Sequence, residues 1–169
     1  MAPETVNLLI IVVAIAVAAG AAAYFVVRFL KGSIKIALQR ESFARGELVE
    51  GTFALEAKKE IHGNRLVAAL VATETYTERN YKGRSQRRTR EVYRASQIVE
   101  EARVYPAGFT ANYNFKIALP AGEVREGNSI LGGALSLLTG FGSRVEWRVQ
   151  VSLDAEGVDL AASRRIYVG

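Results

Sequence analysis

The sequence predicts an all-β protein, one β-sandwich of about seven strands preceded by one transmembrane α-helix. Three observations carry that prediction. The first is an unbroken apolar run of 20 residues from Leu8 to Val27. The second is a switch after Gly32 to strict two-residue alternation. The third is a series of Gly and Pro turn signals that divides the rest into strand-sized pieces.

The apolar run sits within residues 6–30, between a short N-terminus (1–5) and a domain spanning 33–169. At 1.5 Å per residue a helix of this run covers about 30 Å, the thickness of a bilayer core. A cleaved signal peptide or a pilin-type leader would place basic residues ahead of the run. Met1–Asn7 has none and carries Glu4, so an uncleaved anchor is expected. Arg28, Lys31, Lys35, Arg40 and Arg45 follow it. The positive-inside rule therefore predicts a cell-membrane, single-pass protein with a cytoplasmic C-terminal domain. Tyr24 and Phe25 fall at that interface. Ala14, Ala18 and Ala22 recur every four residues, as do Ala16 and Gly20. They offer a small-residue face through which helices could pair into a homo-oligomer, or they simply reflect an Ala-rich span.

The alternation defines the sandwich. Ile34, Ile36 and Leu38 form one half-apolar strand, and Phe109, Ala111, Tyr113, Phe115, Ile117 and Leu119 a second. Val145, Trp147, Val149, Val151 and Leu153 form a third. Successive strand side chains point to opposite faces, so each run has one core face and one wet face. Glu47–Lys58 places Val49, Phe53 and Leu55 together, with Gly51 as a candidate bulge. Arg65–Glu78, Glu91–Tyr105 and Arg164–Val168 complete the set. Turns are expected at His62–Asn64, Lys82–Gly83, Pro106–Gly108, Pro120–Gly122 and Glu156–Gly157.

The composition narrows the chemistry. The formal charge is +5 and there is no Cys, which excludes disulfides and thiolate metal sites. The single histidine, His62, does not supply a hydrolase triad or an imidazole metal centre. Gly132-Gly133 lacks the Gly-Lys-Ser/Thr of a phosphate loop. No catalytic residue, cofactor or metal is expected, and the protein is read as a non-enzyme.

Two surfaces stand out. Arg79, Lys82, Arg84, Arg87, Arg88 and Arg90 put six cations and no acid into residues 79–90. This pattern suggests the tip of a long hairpin. Such a tip is simply solvated, or it meets anionic lipid headgroups or an acidic protein partner. Nucleic acid is disfavoured, since Tyr81 is the one stacking ring there. The second surface is the apolar stretch 129–142, with Ile130, Leu131, Leu135, Leu138 and Phe141. It is too short to span a bilayer. It reads either as a short helix capping the sandwich or as an exposed loop for a membrane interface or a partner groove.

Three segments also resemble a known family. Phe43 followed by Gly46-Glu47, Val49 and Gly51 resembles the opening strand of arrestin-like domains. Gly108, then Tyr113, Phe115, Ile117, Leu119 and Pro120, is similar to their Tyr-x-Phe-x-Phe-x-Leu-Pro strand. Trp147, Val149, Val151, Leu153 and Asp154, followed by Arg165–Val168, is similar to their closing pair. The order matches across most of 33–168 and resembles the sporulation-control (Spo0M-like) or Vps26-like kind. The resemblance implies a non-catalytic scaffold that recruits a partner at a membrane, here at its cytoplasmic face. It carries no functional residue onto this chain, which has room for one such domain where full arrestins have two. A different reading makes the chain a structural subunit of an envelope or filament assembly packed through its N-terminal helix.

Overall fold

The structure, a computed structural model, describes residues 10, 12–20, 22, 29–79, 84–122 and 144–169, without the side chains of Glu78 and Arg79. Residues 10, 12–20, 22 and 29–31 are helical. Among the described residues no helix is long and apolar enough to cross a membrane. Residues 8, 9, 11, 21 and 23–27 of the apolar run, Tyr24 and Phe25 among them, lie outside the described residues, as does Arg28.

Two sheets follow. The smaller has three antiparallel strands in the order β1 (Gly32–Leu38), β3 (Leu48–Ala57) and β7 (Phe109–Ala118). The larger runs β2 (Ser42–Phe43), β9 (Leu160–Val168), β8 (Arg144–Ala155), β4 (Ile61–Arg79) and β5 (Ser85–Glu100). A short β6 (Arg103–Tyr105) pairs with the first residues of β4. Only the β2–β9 pair is parallel among the described pairs. The apolar positions of the alternating runs meet between the sheets. Val49, Phe53, Leu55, Phe115 and Ile117 come from the smaller sheet, and Leu66, Ala68, Leu70, Val149, Val151 and Leu153 from the larger. All are buried. The sandwich is therefore the two-sheet structure that period-two patterning requires.

Several boundaries differ from the sequence expectation. The nine strands among the described residues include the two-residue β2, and one expected strand is broken into β5 and β6 at residues 101–102. The turn expected at His62–Asn64 is instead strand. His62 pairs with Val104, and the register against β8 shifts between Gly63 and Arg65. The glycine serves close approach: a Cβ on Gly63 would lie 2.7 Å from the Tyr105 ring and 2.9 Å from Leu153. The chain reverses at residues 58–60. Gly51 is not a bulge, because the register against β7 runs unbroken through it and the β1 pairing reaches it without a shift. Val145 and Trp147 are only partly covered, since β8 continues past the end of the smaller sheet.

The helix joins the sandwich with no linker. Lys31 is helical and Gly32 opens β1. The Lys31 ammonium donates to the Glu156 carbonyl at 2.6 Å and the Val158 carbonyl at 2.8 Å, in the β8–β9 turn. Its own carbonyl accepts from the Lys58 and Lys59 amides, and the Lys58 ammonium lies 3.6 Å from the Phe29 ring centroid. Gly32 is wedged here, and a Cβ would collide with the Glu56 carbonyl and come within 3.1 Å of Leu160. Backbone cannot yield as a side-chain tip can, so Gly32→Ala is expected to cost about 2 kcal/mol. Chemical unfolding of the full chain checks this, and a loss below ~0.5 kcal/mol would show that the junction is loose.

Candidate binding surface

The basic segment lies on the hairpin that the sequence suggests, although pairing divides it. β4 and β5 pair from Leu66↔Glu100 out to Arg79↔Ser85. β4 has 19 residues, a contour of about 60 Å at the usual strand rise. It starts near the helix junction and ends at Arg79, so the last described pair of the hairpin, Arg79↔Ser85, is at the far end of the sandwich.

Within the hairpin, even-numbered β4 residues continue the core-facing series Leu66, Ala68 and Leu70. Arg88 stands opposite Tyr76 and Arg90 opposite Glu74 on that inward face. Arg90 donates to Glu74 at 2.9 Å and lies 5.3 Å from the Tyr76 ring centroid. Arg87, opposite Thr77, belongs to the outward face, and the backbone of Arg79 pairs with Ser85. Arg84 is exposed just before β5. Lys82 lies outside the described residues, as do Ile130, Leu131, Leu135, Leu138 and Phe141 of the apolar stretch. Ala14, Ala18 and Ala22 are helical and exposed.

The outward face of the larger sheet carries a feature that reading along the chain missed. Val71 on β4 pairs with Arg94 on β5 and with Arg148 on β8, and Arg148 pairs with Arg165 on β9. Three arginines therefore stand in one row across four strands. Val71 between them is 1% exposed, because the aliphatic stems of its long neighbours lie over it. The side chains of Arg94, Arg148 and Arg165 remain 49%, 39% and 45% exposed. Each is oriented by a carboxylate on the adjacent row. Arg94 donates to Glu91 at 2.6 and 2.8 Å. Glu146 lies 3.5 Å from Arg148, 3.6 Å from Arg165 and 3.7 Å from Arg144. The hydrogen bond to Arg94 outweighs burial and lowers the Glu91 pKa, so this pair stays ionised. On the helix-junction side of the row the same face has Val67, Ala69, Ser96, Ile98, Gln150, Ser152, Ala161 and Ser163, and beyond them Arg65 paired with Asp154. The period-two spacing of Arg144, Glu146 and Arg148 was visible along the chain. The alignment with Arg94 and Arg165 exists only across strands.

A second polar cluster marks the β5–β6 break. One Glu100 carboxylate oxygen accepts from Tyr105 at 2.8 Å and Tyr113 at 2.7 Å, and the other accepts from Arg103 at 2.6 Å. This cluster ties β5, β6 and β7 together. His62 is exposed, 3.1 Å from Glu60. Among the described residues, no group of three or more His, Asp or Glu is placed to hold a metal ion.

The architecture has a solved counterpart. The crystal structure of Spo0M, a sporulation control protein from Bacillus subtilis, superposes with a TM-score of 0.59 at 18% identity. The match covers 82% of this chain and 49% of Spo0M, so the chain spans about half the length of that protein. The fold is arrestin-like. No protein-family model matches the chain, and no curated protein is significantly similar in sequence. At this identity the likeness with Spo0M concerns the arrestin-like sandwich alone, and function must be argued from the surfaces described above.

Proposed function

We propose that this chain is a membrane-anchored, non-catalytic scaffold whose arrestin-like domain (33–169) recruits a protein partner at the cytoplasmic face. The observation that carries the reading is the apolar helical segment at residues 10, 12–20 and 22. Ile10, Val12, Val13, Ile15 and Val17 are helical and between 54% and 67% exposed. They surround the helix rather than forming one stripe, the pattern of a helix whose solvent is lipid. The apolar run around them is long enough to span. The last described pair of the hairpin lies at the end remote from the helix, which favours a protein partner over the headgroups of the anchoring leaflet.

The absence of cysteine makes the topology directly measurable. Single variants Ala2→Cys and Ser85→Cys are labelled in intact cells with a membrane-impermeant maleimide. Labelling at position 2 alone is expected. Labelling at position 85 alone would reverse the orientation, and labelling at both with release of the protein by alkaline carbonate would remove the anchor.

One observation favours a structural subunit instead. Ala14, Ala18 and Ala22 share a helix face and are exposed, as a helix-packing seam would be. Native mass measurement in detergent separates the readings, since an assembly subunit gives large ordered oligomers and a scaffold gives monomers or dimers.

A further inference from the structure

We infer that the arginine row Arg94–Arg148–Arg165 on the outward face of the larger sheet is a docking site for an acidic, extended segment of a partner protein, a proposal that rests on the scaffold reading. The row crosses three strand spacings, about 14 Å. Carboxylates at alternate positions of an extended chain are about 6.6 Å apart, so a segment of the form acid-x-acid-x-acid spans about 13 Å. The two lengths match end to end.

The row is prepared to receive such a segment. Each guanidinium has five N–H donors in a fixed plane, and Glu91 and Glu146 engage only part of that capacity. Their ion pairs hold the forks in place, so less side-chain freedom is lost when a second carboxylate arrives. Charge remains in excess. Arg94, Arg144, Arg148 and Arg165 face two acids, Glu91 and Glu146. Small Ala and Ser side chains beside the row leave room for a backbone to lie flat against the sheet. A folded acidic domain would meet the same charge but not the same spacing. A bilayer would need a continuous exposed apolar face beside the cations; Ala69 and Val71 are 4% and 1% exposed, and the exposed Ile98 and Tyr167 stand apart on β5 and β9 with β4 and β8 between them.

The test uses the full chain in nanodiscs of pure phosphatidylcholine and a fluorescein-labelled peptide Glu-Thr-Glu-Thr-Glu-Thr-Glu, read by anisotropy. Saturable binding is expected. Arg148→Gln and Arg165→Gln should each weaken it by about tenfold, the loss of one charge-assisted contact, while Arg88→Gln on the inward face leaves it unchanged. A peptide of equal charge with Pro replacing Thr should bind worse, because its backbone cannot lie flat. Absence of binding to the wild-type chain, or equal loss with Arg88→Gln, overturns the row as the site. Row variants that keep peptide binding but lose binding to vesicles containing phosphatidylserine would assign the face to lipid. Cysteine labelling that keeps the expected topology while the peptide fails leaves the anchor standing and removes only this proposal.

Discussion

Replacing Phe53 with alanine is expected to cost about 4 kcal/mol of stability, the most damaging of the substitutions considered. Phe53 is 1% exposed in the middle of β3. Its ring stacks on Tyr113 with centroids 5.2 Å apart and stands 6.4 Å from Phe115. Truncation removes the transfer energy of the ring and leaves a cavity that two rigid sheets cannot close. It also withdraws the support on which Tyr113 leans to reach Glu100. A domain of this size has only about 5–15 kcal/mol in hand, so a large share disappears with one side chain. The single tryptophan, Trp147, is half-buried and reports unfolding by fluorescence in denaturant. Phe53→Leu should recover about half of the loss, and exposed Tyr167→Ala should change stability by under ~0.5 kcal/mol. A Phe53→Ala midpoint no lower than that of Tyr167→Ala would mean the two sheets do not share one core.

Most of the sandwich was legible because burial on one face leaves a period-two mark. Phe115 and Ile117, or Val149, Val151 and Leu153, needed no knowledge of neighbours to be assigned inward, and all are buried. The misread elements are those whose shape is set by another strand. Gly63 looked like a turn because glycine commonly punctuates chains. Its actual constraint is the Tyr105 ring, 42 residues away in sequence (105 − 63). Likewise β2 is held by a parallel pairing with β9 at the opposite end of the domain, and two residues leave no periodicity to detect.

The candidate surface shows the same division. A charge run is conspicuous along the chain, so residues 79–90 drew notice. Pairing then distributes it. Arg90 faces Glu74, an acid outside the run, whereas Arg87 looks to the other side of the sheet. The arginine row was invisible because its members are 54 and 17 residues apart (148 − 94 and 165 − 148). Only register places them side by side. Linear charge counting thus finds a run along one hairpin and overlooks a row that only register assembles.

Glu100→Ala is the second large loss to be expected, about 3 kcal/mol, and it carries a pH signature that a packing defect lacks. The carboxylate receives hydrogen bonds from Tyr105, Tyr113 and Arg103. Tyr105 is fully buried, so without its acceptor the hydroxyl is left with an unpaid desolvation cost of about 1–3 kcal/mol. Burial raises the Glu100 pKa, but the hydrogen bonds from Tyr113, Tyr105 and Arg103 outweigh it and hold the group below the ordinary carboxylate range. The unfolded chain therefore binds this proton more readily than the folded one. The stabilisation is complete above the unfolded value of about 4.3 and is lost as pH falls through the lower folded value. Burial, followed by the Glu100 hydrogen bond, pushes both tyrosines up. Their contribution is present below the unfolded value of about 10 and declines as pH rises beyond it. Unfolding free energy measured from pH 2 to pH 7 should show a wild-type slope that Glu100→Gln flattens. Tyr113→Phe, which removes one donor, should cost about 1 kcal/mol and diminish that slope without abolishing it. Parallel pH profiles for wild type and Glu100→Gln would show that the carboxyl binds its proton equally well in the folded and unfolded chains, so that the three donors do not favour its ionised form.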